Sequence, residues 1–396
     1  MAATTAARGP RITAVLRDKE TVTPLELFFD LVFVLALTQC TALMAEQPTW
    51  EGVAKGLLVL GVLWWAWVGY AWLTSVIDPE EGVVRIAIFG AMAGLLVVSL
   101  CVPEAFDDSA LLFAGAYGVV RAGQIVLFAA ASQDDANLRS SVIGLAGSTF
   151  VGVSLLVAAS LADGLLQGGL WALALLLDMA GPYFFGAEGW KLVPGHFAER
   201  HGLILIIALG ESIVAIGAGV EGAITLGVVA AAALGITVAA AQWWLYFDVV
   251  ALVAERKLSD AVGREQNEIA RDSYSFLHLP MVAGIVLVAL GMKKTLGDIG
   301  DPLKLVVAMA MMTGAAMYLL AHVAFRYRNV HTVNKPRLIT AAVCLALIPA
   351  TTELAALATL AILAGVMVAL VTYEALMYAE ARDRIRHQLS DEVVTN

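Results

Sequence analysis

Leu203-Ile204-Leu205-Ile206-Ile207-Ala208-Leu209 is an unbroken apolar run, followed directly by Gly210 and Glu211. A membrane-spanning β-strand alternates polar and apolar positions. This run, and its like at Val228–Ile236, therefore reads as helix. A bilayer core of about 30 Å needs about 20 helical residues to cross it. Twelve stretches meet that requirement, at roughly 24–45, 53–76, 83–101, 109–131, 138–161, 168–186, 200–219, 223–250, 272–291, 303–325, 336–350 and 353–378. The chain is 60% hydrophobic and 15% charged. A soluble domain sits near 45–50% and 25%. The expected class is an all-α, polytopic membrane helix bundle.

The net charge of −10 comes with no basic run, which argues against nucleic acid as a partner. Cys40, Cys101 and Cys344 lie far apart and form no metal-ligand spacing or disulfide framework. Residues 1–23 are polar and lack the short apolar core and cleavage site of a secretory signal. The first span is expected to direct insertion. With the N-terminus inside, nineteen Lys and Arg fall in inner segments and span ends. Lys55, Lys293, Lys294 and Lys304 fall outside, and Arg121 falls within a span. That bias places both termini in the cytoplasm. The expected location is a bacterial inner membrane.

The two halves echo each other. Gln39 aligns with Glu211, Trp64-Trp65 with Trp243-Trp244, Ala93-Gly94 with Ala283-Gly284, Tyr117-x-x-x-Arg121 with Tyr318-x-x-x-His322, and Asp178 with Glu374. The order is preserved while the offset drifts between 172 and 201. Two parallel six-helix repeats are expected, at 24–190 and 191–378, related about the membrane normal. Shared membrane composition would produce part of this echo too. Residues 251–271 mix apolar and charged residues at helical spacing, as in Val253, Leu258, Val262 and Ile269. They read as an amphipathic interfacial helix or a connecting helix. Residues 379–396 form a polar cytoplasmic tail.

A charge at bilayer depth costs about 2.5–3.5 kcal/mol, so six unpaired would cost on the order of 15–20 kcal/mol. Such groups must be paired, hydrated or neutral. Glu26 and Asp30 are four apart on one helical face. They suit proton binding, although Glu26 would also serve as a cap near a helix start. Arg121 keeps its charge when buried and needs an acid or an anion, for which Glu211 is the first choice and Asp178 the second. Pro182 removes the hydrogen bond to the carbonyl of Asp178. That offers either a cation site or a plain kink beside a salt bridge. Gly210 would let a helix or solute approach Glu211 closely. Glu374, His201, His278 and His322 lie in the inner half of their spans. The histidines suit a proton relay or hydrogen-bonded packing. The tryptophans suit interface anchoring. No metal, haem, phosphate-loop or nucleophile motif is legible. Neither a cofactor nor a catalytic residue is expected.

Glu26-Leu-Phe-Phe-Asp30-Leu-Val-Phe-Val resembles the opening motif of the bacterial low-temperature-requirement A proteins. His196-Phe-Ala-Glu199-Arg200-His201-Gly202, running on through Gly210-Glu211-Ser212, resembles their second hallmark. The resemblance implies a multi-pass membrane protein linked to growth in the cold, with no settled molecular activity. The polar interior makes a proton-linked secondary transporter or ion pathway the expected function. Glu26, Asp30, Arg121, Asp178, Glu211 and Glu374 would carry it. The alternatives are a lipid-modifying membrane enzyme and a non-transporting sensor or scaffold. Partners are membrane lipids and an unidentified small solute or ion; an oligomer is compatible with the sequence.

Overall fold

The computed structural model describes residues 17, 20–184, 189–220 and 222–380. Most of the N-terminal segment and of the tail expected at 379–396 lies outside the described residues. The described chain is helical: α1 (Pro24–Glu46), α2 (Trp50–Val76), α3 (Gly82–Cys101), α4 (Ala110–Ala131), α5 (Ala136–Ala159), α6 (Gly164–Phe184), α7 (Pro194–Gly219), α8 (Leu226–Phe247), α9 (Val250–Asp260), α10 (Gly263–Ile269), α11 (His278–Gly297), α12 (Leu305–Val330), α13 (Lys335–Ala346), α14 (Ile348–Thr351) and α15 (Ala356–Met377). A π-helical segment, Ala270–Phe276, joins α10 to α11.

Local chemistry sets the helix starts. Thr23 caps α1 in a reciprocal capping box with Glu26, and Pro24 follows in the first turn. Thr49, Asp135, Thr225 and Asn334 cap α2, α5, α8 and α13 with their side chains.

Among the described residues, eleven helices are long and apolar enough to cross a membrane. The expected eleventh span, 336–350, is not one continuous helix. It is α13, of 12 residues, followed by the four-residue α14. Pro349 has no N–H to return to the carbonyl of Leu345, so the helix breaks there. The two-part segment still runs the length of α15. Arg337 at its start bonds Glu374 near the end of α15, and the Thr351 carbonyl at its finish accepts from Thr359 near the start.

Exposure is inverted relative to a soluble protein. Leu165, Phe150 and Val119 are 97%, 74% and 71% exposed, whereas Arg121, Arg200 and Glu211 are each 1% exposed. An apolar outer surface around a polar interior requires lipid as solvent. The molecule is a multi-pass membrane protein.

Within the first half, α1 packs on α2 and α3, α3 on α4, α4 on α5, α5 on α6, and α6 returns to α2. Within the second, α7 packs on α8 and α11, α11 on α12, α12 on α13, α13 on α15, and α15 returns to α8. α1 and α7 pack together where the halves meet. Lipid tails are as apolar as helix surfaces, so close backbone approach drives much of this packing. At the α11–α12 crossing a Cβ on Gly284 would sit 2.6 Å from the Gly314 carbonyl oxygen. The segment expected as one amphipathic helix at 251–271 is two helices, broken at Gly263 with φ +59°. Ala254 and Leu258 are buried in α9, which packs on α7, while Val262 is 79% exposed.

Candidate functional site

The two hallmark motifs meet in space. α1 and α7 present their polar faces to each other at the end of the bundle that carries their N-termini. Glu26 Oε1 accepts from His196 Nε2 at 2.8 Å and from Arg200 at 3.1 Å. Its Oε2 accepts from the Thr23 backbone N–H at 2.9 Å and lies 3.2 Å from Arg17. Glu26 thus both caps the helix and joins an ion cluster. One turn deeper, Asp30 Oδ1 accepts from Arg200 at 2.7 Å and from Trp67 Nε1 at 2.8 Å. Asp30 Oδ2 is buried without a partner among the described residues. Arg200 also donates to Thr74 Oγ1 at 3.1 Å and lies over the Trp67 ring. Two guanidinium groups face two carboxylates, so the cluster balances in charge. Glu199 points away from it and accepts from the Val22 backbone N–H.

Beside this cluster the three expected relay histidines gather in one aromatic layer. His201 and His278 have ring centroids 5.2 Å apart, and Tyr246 lies against both His278 and His322. Partners fix the ring protons in the neutral rings. His278 Nδ1 donates to the Ser273 carbonyl at 3.0 Å, leaving Nε2 to accept from the Tyr246 hydroxyl at 2.9 Å. His201 Nδ1 donates to the Phe197 carbonyl at 2.8 Å, leaving Nε2 a buried acceptor without a partner among the described residues. His322 Nδ1 accepts from Arg337 at 2.9 Å, leaving its Nε2–H a buried donor likewise unpartnered. The π-helical segment supplies Tyr274, stacked on His278, and turns the Ser275 carbonyl toward Trp64 Nε1 at 2.8 Å. π-helical turns recur at functional sites.

Arg121 pairs with Asp178, not with Glu211. Its Nη2 lies 3.1 Å from both carboxylate oxygens and 2.6 Å from Thr149 Oγ1. Asp178 also accepts from Thr149 at 3.1 Å and lies 3.5 Å from Tyr117 and Ser148 hydroxyls. Both of its oxygens are occupied, and α6 continues past Pro182 to Phe184, so a vacant cation site at Asp178 is not what the fold builds. The second half has its own version of this pair. Arg337 binds Glu374 at 2.9 and 2.7 Å, and Asn334 donates to the same carboxylate at 3.0 Å.

Glu211 stands apart. It is 1% exposed and faces α1, where it hydrogen-bonds to Thr38. No cation lies within ion-pair distance among the described residues; Lys293 acts on it from farther away. Gly210 does not receive a close neighbour: a Cβ there would meet nothing within 4 Å.

Arg17, Arg337, Trp67 and Tyr274 complete these clusters and carried no separate signal in the sequence. Arg17 and Arg337 read as ordinary loop charges. Trp67 read as one tryptophan among several in α2. The polar Asn334-x-x-Arg337 start of α13 was the one available hint for Arg337.

The family model described as bacterial low temperature requirement A protein matches residues 21–372. An uncharacterized protein of Rhizobium meliloti (strain 1021) is 31% identical over 278 residues, covering 67% of each chain. No solved structure matches the chain.

Proposed function

Because the chain belongs to the bacterial low temperature requirement A family, we propose on that premise that it is a proton-linked secondary transporter or ion pathway in which Glu211 carries the proton. The observation that supports this is that Glu211, buried, faces a hydroxyl on α1 and no cation among the described residues. The Thr38 hydroxyl donates to the Val34 carbonyl at 2.9 Å, and the neighbouring Thr41 hydroxyl donates to the Leu37 carbonyl at 3.1 Å. The Thr38 hydroxyl has one hydrogen and reaches both the Val34 carbonyl and Glu211. When that hydrogen goes to the backbone, a neutral carboxyl group answers with its own O–H. No guanidinium or ammonium group stands within ion-pair distance to hold a carboxylate there among the described residues. The other buried acids are matched by cations; Glu211 is matched by hydroxyl oxygens.

The histidine layer sits about 15 Å from Glu211 along α7, taking ten residues at 1.5 Å each. It opens on a groove of about 440 Å³ bordered by Glu20, Glu199, Glu255 and Tyr274. That groove would admit cations to the relay. In the same reading the chain crosses twelve times, with α13 and α14 as a two-part eleventh pass. The bundle is then two six-pass repeats with both termini cytoplasmic in the inner membrane. The recurring ring of helix contacts supports the repeat. So does the presence of an arginine–carboxylate pair on the last helix of each half, Arg121 with Asp178 and Arg337 with Glu374, although the two arginines come from different helices of the repeat.

The test is proton movement. Protein in liposomes under an imposed pH gradient, read by an internal pH dye, should acidify the lumen, and Glu211→Gln should abolish the signal. A parent protein that moves no protons under any added solute would refute the mechanism. A purely structural polar core, as in a sensor or scaffold, is the second reading. The full occupancy of Glu26, Asp178 and Glu374 favours it, and it requires that parent and Glu211→Gln behave alike.

A further inference from the structure

A separate cavity of about 70 Å³ lies among α2, α4, α5, α6 and the π-helical segment. Gln124, fully buried, lines it, and neither its amide nitrogen nor its carbonyl oxygen has a partner among the described residues. Two further lining groups share that condition: Trp65 Nε1, on a side chain 4% exposed, and Arg121 Nε, 1% exposed. Buried polar groups are nearly always hydrogen-bonded. Three in one cavity mark a place built to hold something polar. The walls make room for it deliberately. A Cβ on Gly69 would fall 2.2 Å from the Gln124 amide nitrogen, so only glycine lets the carboxamide lie there.

The lining selects the ligand by charge and size. No Asp or Glu lines the cavity among the described residues. Arg121 is neutralised by Asp178 behind it. Arg271, which also lines the cavity, shares the single carboxylate of Asp272 with Arg328, at 2.7 and 3.0 Å. Among the described residues the Arg271–Asp272–Arg328 group beside the cavity therefore carries one positive charge in excess, which suits a monoanion. The indole N–H, the guanidinium Nε–H and the amide N–H each ask for an acceptor. The Gln124 carbonyl asks for one donor. At about 10–15 Å³ per water-sized centre, the volume takes roughly five to seven such atoms. Trp65 and Trp72 give the cavity apolar sides.

We propose that this cavity binds a short monocarboxylate of two or three carbons, with a 2-hydroxy acid such as glycolate or lactate preferred over acetate. The carboxylate takes the three N–H donors, and the hydroxyl donates to the Gln124 carbonyl. This names the solute class of the transport reading and rests on it only for movement; binding itself is measured without it. Radiolabelled glycolate should bind the purified full chain saturably in detergent by equilibrium dialysis. Acetate should compete about tenfold more weakly, since a buried acceptor left unpaired penalises the analogue lacking the hydroxyl, and chloride more weakly still. Gln124→Leu and Gly69→Ala should each lower affinity at least about tenfold. Trp65→Phe, which removes one N–H and little volume, guards against misfolding of the first two and should also weaken binding. Glycolate binding without proton movement leaves this inference standing and sinks the transport reading. Proton movement without binding does the reverse. Absence of saturable binding, chloride competing as well as glycolate, or unchanged binding in folded Gln124→Leu and Trp65→Phe would overturn the assignment.

Discussion

Asp178→Asn and Glu211→Gln are the same chemical edit, one carboxyl oxygen exchanged for NH₂, made at two buried acids with opposite expected outcomes. At Asp178 the edit strands Arg121. That guanidinium is 1% exposed, and its Nη2 loses both charged contacts at 3.1 Å. Thr149 and the Trp65 carbonyl remain, but neither carries charge. Removing one partner of a buried ion pair costs about 3–5 kcal/mol, a large part of a typical net stability of about 5–15 kcal/mol. At Glu211 no cation is stranded. The new amide N–H donates to Thr38 as the neutral acid would, so the expected cost is within about 1 kcal/mol. Thermal and denaturant unfolding of both variants in one detergent reads the difference. Arg121→Met combined with Asp178→Asn should recover part of the loss, because the buried charge is then gone. If Glu211→Gln loses as much stability as Asp178→Asn, Glu211 is charged and held as a carboxylate, and its assignment as the proton carrier is wrong.

Arg337→Ala and Glu374→Ala should be coupled by about 0.5–3 kcal/mol in a double-mutant cycle, given contacts of 2.7 and 2.9 Å; strict additivity would remove the second-half pair from the folded state. Gly284→Ala should destabilise by about 1–3 kcal/mol through overpacking against the Gly314 backbone, while Gly210→Ala should melt with the parent because the space beside it is open. A cysteine placed at Asn396 should resist a membrane-impermeant thiol reagent in intact cells, and one replacing exposed Lys304 should react. The native cysteines are buried and should not compete; the opposite labelling pattern would reverse the orientation.

The sequence alone determined what is local. Continuous apolar runs fixed the helical membrane class, since hydropathy over about 20 residues decides insertion. Thr23-Pro24 and Glu26 marked the start of α1 through capping chemistry that acts within one turn. The depth of Arg121, Asp178 and Glu211 along their helices could be counted from the span ends. The two hallmark motifs pointed at α1 and α7 as the helices that matter. Which groups meet was decided by the tertiary structure. Arg121, Asp178 and Glu211 all lie within membrane spans, so depth could not choose a partner between the two acids. The ring of α4, α5 and α6 brings Asp178 to Arg121, while α7 turns Glu211 toward Thr38 on α1. Arg17 and Arg337 looked like loop charges because hydropathy cannot show a side chain folding back into the bundle. The π-helical turn at Ala270–Phe276 likewise carried no signal in the sequence pattern. Ion pairs between residues 57 and 170 positions apart depend on which helices are neighbours, and no window of sequence contains that information.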